Sequence, residues 1–204
     1  MKRISEIIAT FFYIGKVKYA PGTFGSLPAF FISYIIMYLA VEEEFTFDID
    51  NFSFYEQQFI SIFILEIAAL FILFLIGTMA THIYIQDKSN KDPKEVVIDE
   101  VVGQMLTIIL CFFSSMMLYF SPLIDVVTHK YFDIIFIFLL PFFLFRIFDI
   151  LKPWPINWID AKIKGAAGVM LDDILAAIFA STVHYIISLI ILDYYQQYTN
   201  LAVQ

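Results

Sequence analysis

Long apolar stretches alternate with short polar segments along this chain. A membrane-spanning helix needs about 20 consecutive, mostly apolar residues. Five stretches approach that length, and they cover residues 23–41, 59–85, 101–124, 131–148 and 174–192. The pattern therefore predicts an all-α fold, a bundle of about five membrane spans that forms one domain over residues 1–204.

The fourth stretch differs from the other four. Its uncharged part covers only residues 134–145 and contains Pro141, which removes a backbone N–H donor. Neighbouring helices can satisfy the backbone groups that such a break frees. We expect a short, proline-broken fourth span, with a re-entrant segment as the alternative.

The residues before Lys16 predict a different kind of helix. Their apolar positions recur at the spacing of one helix face, and they are Ile4, Ile7, Ile8, Phe11 and Phe12. This spacing is typical of a short helix that lies on the membrane surface or against the bundle. Since no long apolar run precedes Lys16, we expect no cleaved signal peptide.

Composition supports a membrane protein. Hydrophobic residues make up 61% of the chain and charged residues 16%, with a mean hydropathy of +0.82, whereas soluble domains are about half apolar and a quarter charged. The net charge of −8 argues against nucleic acid as a partner, which needs a basic surface. The single cysteine, Cys111, is expected to serve packing only.

The basic residues are distributed unevenly between the two sides of the predicted bundle. Five spans place residues 1–22, 82–100 and 146–173 on one side and residues 42–58, 122–130 and the C-terminal tail on the other. Of the 12 lysines and arginines, all but Lys130 fall on the first side. Because loops rich in Lys and Arg stay in the cytoplasm, the first side is predicted to be cytoplasmic.

Four polar clusters interrupt the apolar chain on that predicted cytoplasmic side, at residues 20–28, 92–103, 145–155 and 165–174. The first contains Thr23 and Ser26 among glycines, where the first span begins. Free N–H groups at a helix start attract phosphate. A simple turn into the helix is the alternative.

Carboxylates recur in the other three clusters. Asp99 and Glu100 precede the third span, Asp172 and Asp173 precede the fifth, and Asp149 follows the fourth. One acidic pair is often a helix cap. Two pairs and a fifth carboxylate at one mouth of a bundle indicate a hard cation instead, such as Mg²⁺ or Mn²⁺.

Two basic residues accompany Asp149. Arg146, Asp149 and Lys152 are spaced three apart, so a helix would place them on one face. The two cations would either bind phosphate oxygens or form an ordinary salt-bridged face. Two further candidates are Glu66, within the second span, which is either functional or protonated, and His82 near the inner end of that span.

The four clusters together resemble the phosphatidylglycerophosphatase A family. The matching strings are PGTFGSL at 21–27, DPKEVVIDEVVG at 92–103, FRIFDILKPWPINWID at 145–160 and the run GxxGVMLDD that ends at Asp173. They occur in the family's order. One departure is Ala166, where the family usually has a glycine.

The resemblance implies hydrolysis of phosphatidylglycerophosphate to phosphatidylglycerol and phosphate, with Mg²⁺ as cofactor, at the bacterial cytoplasmic (inner) membrane. It implies a phospholipid substrate and leaves the oligomeric state open. The candidates for catalysis and metal binding are Asp99, Glu100, Asp149, Asp172 and Asp173. The candidates for substrate binding are Thr23, Ser26, Arg146 and Lys152. The acyl chains are expected to stay in the lipid beside the bundle, without a deep pocket.

Three other functions are compatible with parts of the pattern. A small cation transporter or channel would distribute its charges through the membrane depth, whereas these carboxylates lie at one face. A phosphotransferase would need an acceptor site, for which the sequence offers no motif. A structural membrane subunit would not need four polar clusters at one mouth.

Overall fold

A computed structural model describes residues 2–90, 93–119 and 134–202 of the chain. In chain order its helices are α1 (Lys2–Ala9), α2 (Pro21–Glu42), α3 (Phe54–Ile85), α4 (Ile98–Tyr119), α5 (Leu140–Leu151), α6 (Ile156–Lys162) and α7 (Ala166–Ala202). A 3₁₀ turn, Ile14–Lys16, precedes α2, and a π-helical segment, Ile134–Leu139, leads into α5. The described residues contain no β-strand, so the all-α prediction is confirmed.

Five helices are long and apolar enough to cross a membrane: Pro21–Glu42, Phe54–Ile85, Ile98–Ser115, Ile134–Leu151 and Ala166–Tyr194. This confirms the predicted number of spans. Four of the helices begin earlier than the apolar pattern indicated, at residues 21, 54, 98 and 166, because polar residues form part of their first two turns. The predicted loop at 122–130 lies outside the described residues.

Helix α4 is the centre of the bundle. In the apolar segment of α4, 61% of the residues are buried, against 11–28% in the corresponding segments of the other four spans. It packs against α2, α3, α5 and α7. The other spans direct most of their apolar surface outward, as expected where lipid replaces water as the solvent.

The fourth span is a helix of mixed type. Its backbone is π-helical over Ile134–Leu139 and α-helical from Leu140 onward. Pro141 lies in the first turn of α5, where the missing N–H costs little. The proline therefore coincides with a change of helix type within the span.

The N-terminal helix is shorter than predicted. Phe11 and Phe12 adopt left-handed backbone conformations with φ of 40° and 55°, so α1 ends at Ala9 and the extension of its apolar face to Phe12 is wrong. The helix packs against α3 with the small residue Ala9 buried. Ile4 and Phe12 are 63% and 71% exposed.

Candidate active site

Three carboxylates from two helices meet at one end of the bundle. Asp99 and Glu100 lie in the first turn of α4, and Asp173 lies near the start of α7. One carboxylate oxygen of each lies within 4.8 Å of the others. We call these three residues the carboxylate cluster.

One oxygen of each carboxylate in the cluster is shielded from solvent and has no hydrogen-bond partner among the described residues. These oxygens are Asp99 Oδ1, Glu100 Oε2 and Asp173 Oδ2. Like charges this close repel each other unless a cation joins them. Carboxylate oxygens are the ligands that Mg²⁺ prefers, so the chemistry of this donor set fits the metal that the sequence predicted.

Two glycines let the helices approach closely enough to build the cluster. A Cβ on Gly103 of α4 would lie 2.7 Å from the Phe145 ring of α5 and 3.0 Å from Asp173 Cβ of α7. A Cβ on Gly22 of α2 would collide with Glu100 Oε1 and lie 2.9 Å from Arg146 Nη2. A side chain at position 103 would therefore clash with a packed ring, and one at position 22 would displace the carboxylate of Glu100 and the guanidinium of Arg146.

The other two predicted acidic ligands are paired with cations. Arg146 Nη1 lies 2.5 Å from Asp149 Oδ2. Lys152 Nζ lies 2.5 Å from Asp172 Oδ2. The five predicted carboxylates therefore divide into three with unpaired oxygens and two that neutralise a basic side chain, although Asp172 Oδ1 is also buried without a partner among the described residues.

Lys152 ends the helix that carries Arg146 and Asp149. It adopts a left-handed conformation with φ of 41° at the C-cap of α5, and it reaches Asp172 of α7 and, at 3.4 Å, Asp160 of α6. The condition for a face shared with Arg146 and Asp149, a helix that continues through residue 152, is therefore not met, because α5 ends at Leu151. Burial opposes the charged amine, but the hydrogen bond to Asp172 and the surrounding carboxylates outweigh it and raise the pKa of Lys152.

The start of α2 meets the side chain of Arg146. Ser26 Oγ donates to the Gly22 carbonyl at 3.0 Å and accepts from Arg146 Nη1 at 3.3 Å. Thr23 is half-buried in the same first turn. The N-cap residue, Ala20, has no side-chain acceptor for the N–H groups of this turn, which suit an anion. Arg146 and the start of α2 together form a positive corner beside Glu100.

A residue that the sequence analysis did not single out lies in the same region. Gln104 is fully buried, and neither its amide nitrogen nor its amide oxygen has a partner among the described residues. It lies one turn after Glu100 on α4, so the two share a helix face. The available signal was an amide within an otherwise apolar span, which is costly unless it is used.

Two weaker candidates lie away from the carboxylate cluster. Glu66 accepts a hydrogen bond from Ser33 Oγ at 3.0 Å, and Ser33 lies two turns after Ser26 on α2, which is about 10 Å further into the membrane. His82 is exposed on α3. Neither takes part in the cluster.

The chain matches the family model described as "Phosphatidylglycerophosphatase A" over residues 7–188. It is 30% identical over 192 residues to the phosphatidylglycerophosphatase A of Haemophilus influenzae, and this alignment covers 92% of this chain and 93% of that protein. A stretch of 46 residues is 46% identical to the Escherichia coli phosphatidylglycerophosphatase A and covers 22% of this chain and 27% of that protein.

A third relative carries a different name. The chain is 30% identical over 185 residues to a Bacteroides thetaiotaomicron protein named "Putative phosphatidylinositol-3-phosphatase", covering 88% of this chain and 92% of that protein. No solved structure matches the chain. Since the family model covers most of the sequence, the chain belongs to the phosphatidylglycerophosphatase A family of phosphoric monoester hydrolases.

Proposed function

We propose that this lipid phosphatase hydrolyses phosphatidylglycerophosphate to phosphatidylglycerol and phosphate, with Mg²⁺, in phospholipid biosynthesis. The observation that carries the proposal is the buried carboxylate cluster, whose unpaired oxygens lie beside the positive corner around Arg146. The names of the Haemophilus influenzae and Escherichia coli relatives, both phosphatidylglycerophosphatase A, support this substrate. The name of the Bacteroides thetaiotaomicron relative favours, as a second candidate, a phosphoinositide phosphomonoester.

Each part of the site has a role in this proposal. Asp99, Glu100 and Asp173 would hold Mg²⁺, which when bound offsets the charge of the phosphate and makes water a better nucleophile. Arg146 binds phosphate oxygens, because a guanidinium matches their geometry. Asp149 and Ser26 orient Arg146 through their contacts with its Nη1 atom.

The reaction is then a displacement by water. The water oxygen attacks phosphorus, the bond from phosphorus to the glycerol oxygen breaks, and the leaving oxygen takes up a proton from solvent water. Glu100 or Asp173 would accept the proton of the attacking water. The N–H groups at the start of α2 and the Arg146 side chain would stabilise the charge on the transferring phosphoryl group.

The side of the membrane is part of the proposal. Of the 12 basic residues, all but Lys130 lie on the predicted side of the clusters, which the positive-inside rule assigns to the cytoplasm. A phosphomonoester in the cytoplasmic leaflet would reach the carboxylate cluster without crossing the bilayer.

The test is phosphate release from phosphatidylglycerophosphate by the purified protein in detergent, with Mg²⁺ and with EDTA. We expect release that requires Mg²⁺, is lost in Asp173→Asn and is unchanged in Asp193→Asn, an exposed aspartate on the same helix. Folded protein that releases phosphate only from a phosphoinositide would favour the second candidate. Release that is unaffected by EDTA would contradict a role for the metal.

A further inference from the structure

An apolar cavity of about 320 Å³ lies between α2, α3, α4 and the segment Ile134–Leu139. Its apolar walls include Phe30, Met37, Ile62, Phe63, Ile109 and Phe138. Small-molecule sites in proteins have volumes of roughly 300–1,000 Å³. The cavity therefore has room for a slender ligand.

The cavity begins close to the active site. Phe30 lies one turn after Ser26, the partner of Arg146. Ile108, another wall residue, lies two turns after Glu100 on α4, about 12 Å deeper by the rise of an α-helix. A ligand in this cavity would thus extend from the vicinity of the phosphate corner into the hydrocarbon depth of the membrane.

Aromatic contacts hold the cavity walls in place. The rings of Phe30 and Phe138 have centroids 5.9 Å apart, and those of Phe63 and Phe113 pack edge to face at 4.7 Å. Such ring pairs stabilise their neighbours beyond the area they bury. The wall residues thus have fixed partners of their own.

The polar lining is confined to one part of the cavity. It comes from Ser33, Tyr34 and Glu66, and Ser33 already donates a hydrogen bond to the Glu66 carboxyl group. The rest of the lining is hydrocarbon, which favours an apolar ligand and disfavours a hydrated headgroup or ion.

We propose that this cavity binds one acyl chain of the phospholipid whose phosphate reaches the carboxylate cluster. The inference rests on the proposed lipid phosphatase function, and it adds that the protein binds an acyl chain of the substrate as well as the headgroup. A phospholipid is a molecule with a phosphate at one end and a long apolar chain at the other, as this arrangement requires. It revises the expectation from sequence that both chains stay in bulk lipid.

The proposal makes catalysis depend on a part of the substrate remote from the phosphate. Binding energy from such a part can position the reacting group. Filling the cavity should therefore impair hydrolysis of long-chain lipids and spare lipids whose chains are too short to enter it.

The test compares Ile62→Trp, which fills the cavity, with Ile64→Trp, which places the same side chain on the outer face of α3, where Ile64 is 42% exposed. Phosphate release is measured with dipalmitoyl and dibutyryl phosphatidylglycerophosphate in the same detergent. We expect Ile62→Trp to lower kcat/KM for the dipalmitoyl lipid about tenfold and to leave kcat/KM for the dibutyryl lipid unchanged. Ile64→Trp should change kcat/KM for neither lipid.

A second variant and a second measurement keep the test decisive. Met37→Trp fills the cavity from its exposed edge and serves if Ile62→Trp does not fold. Phosphatidic acid with a diazirine on one acyl chain should crosslink to the cavity walls of the native protein and less to those of Ile62→Trp.

The outcomes separate the two proposals. Native protein that hydrolyses neither lipid would contradict the proposed function. Crosslinking would then still show whether an acyl chain binds in the cavity. Equal losses on both lipids, or crosslinks confined to outward-facing residues, would overturn acyl-chain binding while leaving the phosphatase function in place.

Discussion

The five carboxylates at the mouth of the bundle form two groups with different surroundings. Asp99, Glu100 and Asp173 bring buried oxygens together without partners among the described residues. Asp149 and Asp172 each contact a basic side chain at 2.5 Å. All five are acidic residues near the ends of apolar spans, yet their contacts suit different tasks.

The difference is one of electrostatic energy. Unpaired buried carboxylates destabilise the folded chain until a cation joins them. A paired carboxylate fixes its basic partner, and its removal leaves that partner's charge uncompensated. The first group is therefore suited to holding a ligand and the second to orienting Arg146 and Lys152.

Replacing Asp99 with Asn should have the largest effect on activity. We expect phosphate release to fall by at least about 100-fold, because a direct ligand should matter more than the outer partners of metal sites, whose loss costs about 10–100-fold. Folding stability in EDTA should be equal to or higher than that of the native protein, since one repelling charge is gone. Thermal unfolding in detergent, with EDTA and with Mg²⁺, measures both effects.

The metal dependence of stability makes this prediction specific. A ligand that binds only the folded state at 100 times its Kd stabilises by about 2.7 kcal/mol. Native protein should gain stability from Mg²⁺, and Asp99→Asn should gain little. Full Mg²⁺ stabilisation of Asp99→Asn would remove Asp99 from the metal site.

Replacing Asp149 with Asn should have a smaller effect of another kind. Arg146 would keep Ser26 as a contact but lose its anionic partner. We expect kcat/KM to fall about 10–100-fold, while Mg²⁺ still stabilises the protein as in the native chain. Steady-state kinetics and thermal unfolding test this.

A companion variant for Asp149→Asn is Ser26→Ala, which removes the hydrogen bond between Ser26 Oγ and Arg146 Nη1. The two changes should be non-additive in a double-mutant cycle, because both act through one guanidinium. Loss of the Mg²⁺ stabilisation in Asp149→Asn would place Asp149 among the metal ligands and break the division into two groups.

Replacing Gln104 with Met extends the comparison to a neutral side chain. Removing an unsatisfied buried amide should leave stability in EDTA unchanged or raised. We expect the rate of phosphate release to fall by about tenfold, which corresponds to the loss of one hydrogen bond of about 1 kcal/mol or slightly more. Unchanged activity together with raised stability would show that Gln104 destabilises the folded protein and takes no part in catalysis.

Much of the fold was predictable because the bilayer imposes a length on each span. The five spans followed from the apolar runs, although Asp99 and Glu100 were expected before the third span and instead lie in the first turn of α4. The end of α1 was not predictable, since left-handed residues such as Phe11 carry no signal in apolar spacing. The starts of α3, α4 and α7 were not predictable from apolar runs because their first two turns contain polar residues.

The sequence indicated which residues belong to the candidate site, but it did not indicate which of their side chains contact each other. Sequence spacing placed Arg146 and Asp149 on one helix face, as found. It could not place Lys152, because a left-handed C-cap directs that residue towards Asp172 on a different helix. The contacts of Gln104 also depend on how α4 packs, which one sequence does not reveal.

The smallest expected effect concerns a paired carboxylate at the surface, Glu95, which precedes α4. Lys88 Nζ forms a salt bridge with Glu95, and this hydrogen bond lowers the pKa of Glu95 below its usual value. A lowered folded-state pKa means that the pair stabilises the protein above the ordinary pKa of a glutamate and loses that effect as pH falls through the lowered value.

Glu95→Gln should therefore destabilise the protein by less than about 1 kcal/mol at neutral pH, because the pair is partly exposed and screened by salt. The difference from the native protein should shrink as the pH falls below the ordinary pKa of a glutamate, about 4.3, and should vanish below the lowered pKa of folded Glu95, where both chains carry a neutral group at this position. Thermal unfolding as a function of pH measures it. A loss of stability that persists in acid would assign Glu95 a packing role. A loss of activity as large as that of Asp149→Asn would show that carboxylates paired with a cation at the surface cannot be distinguished from those of the active site by their pairing alone.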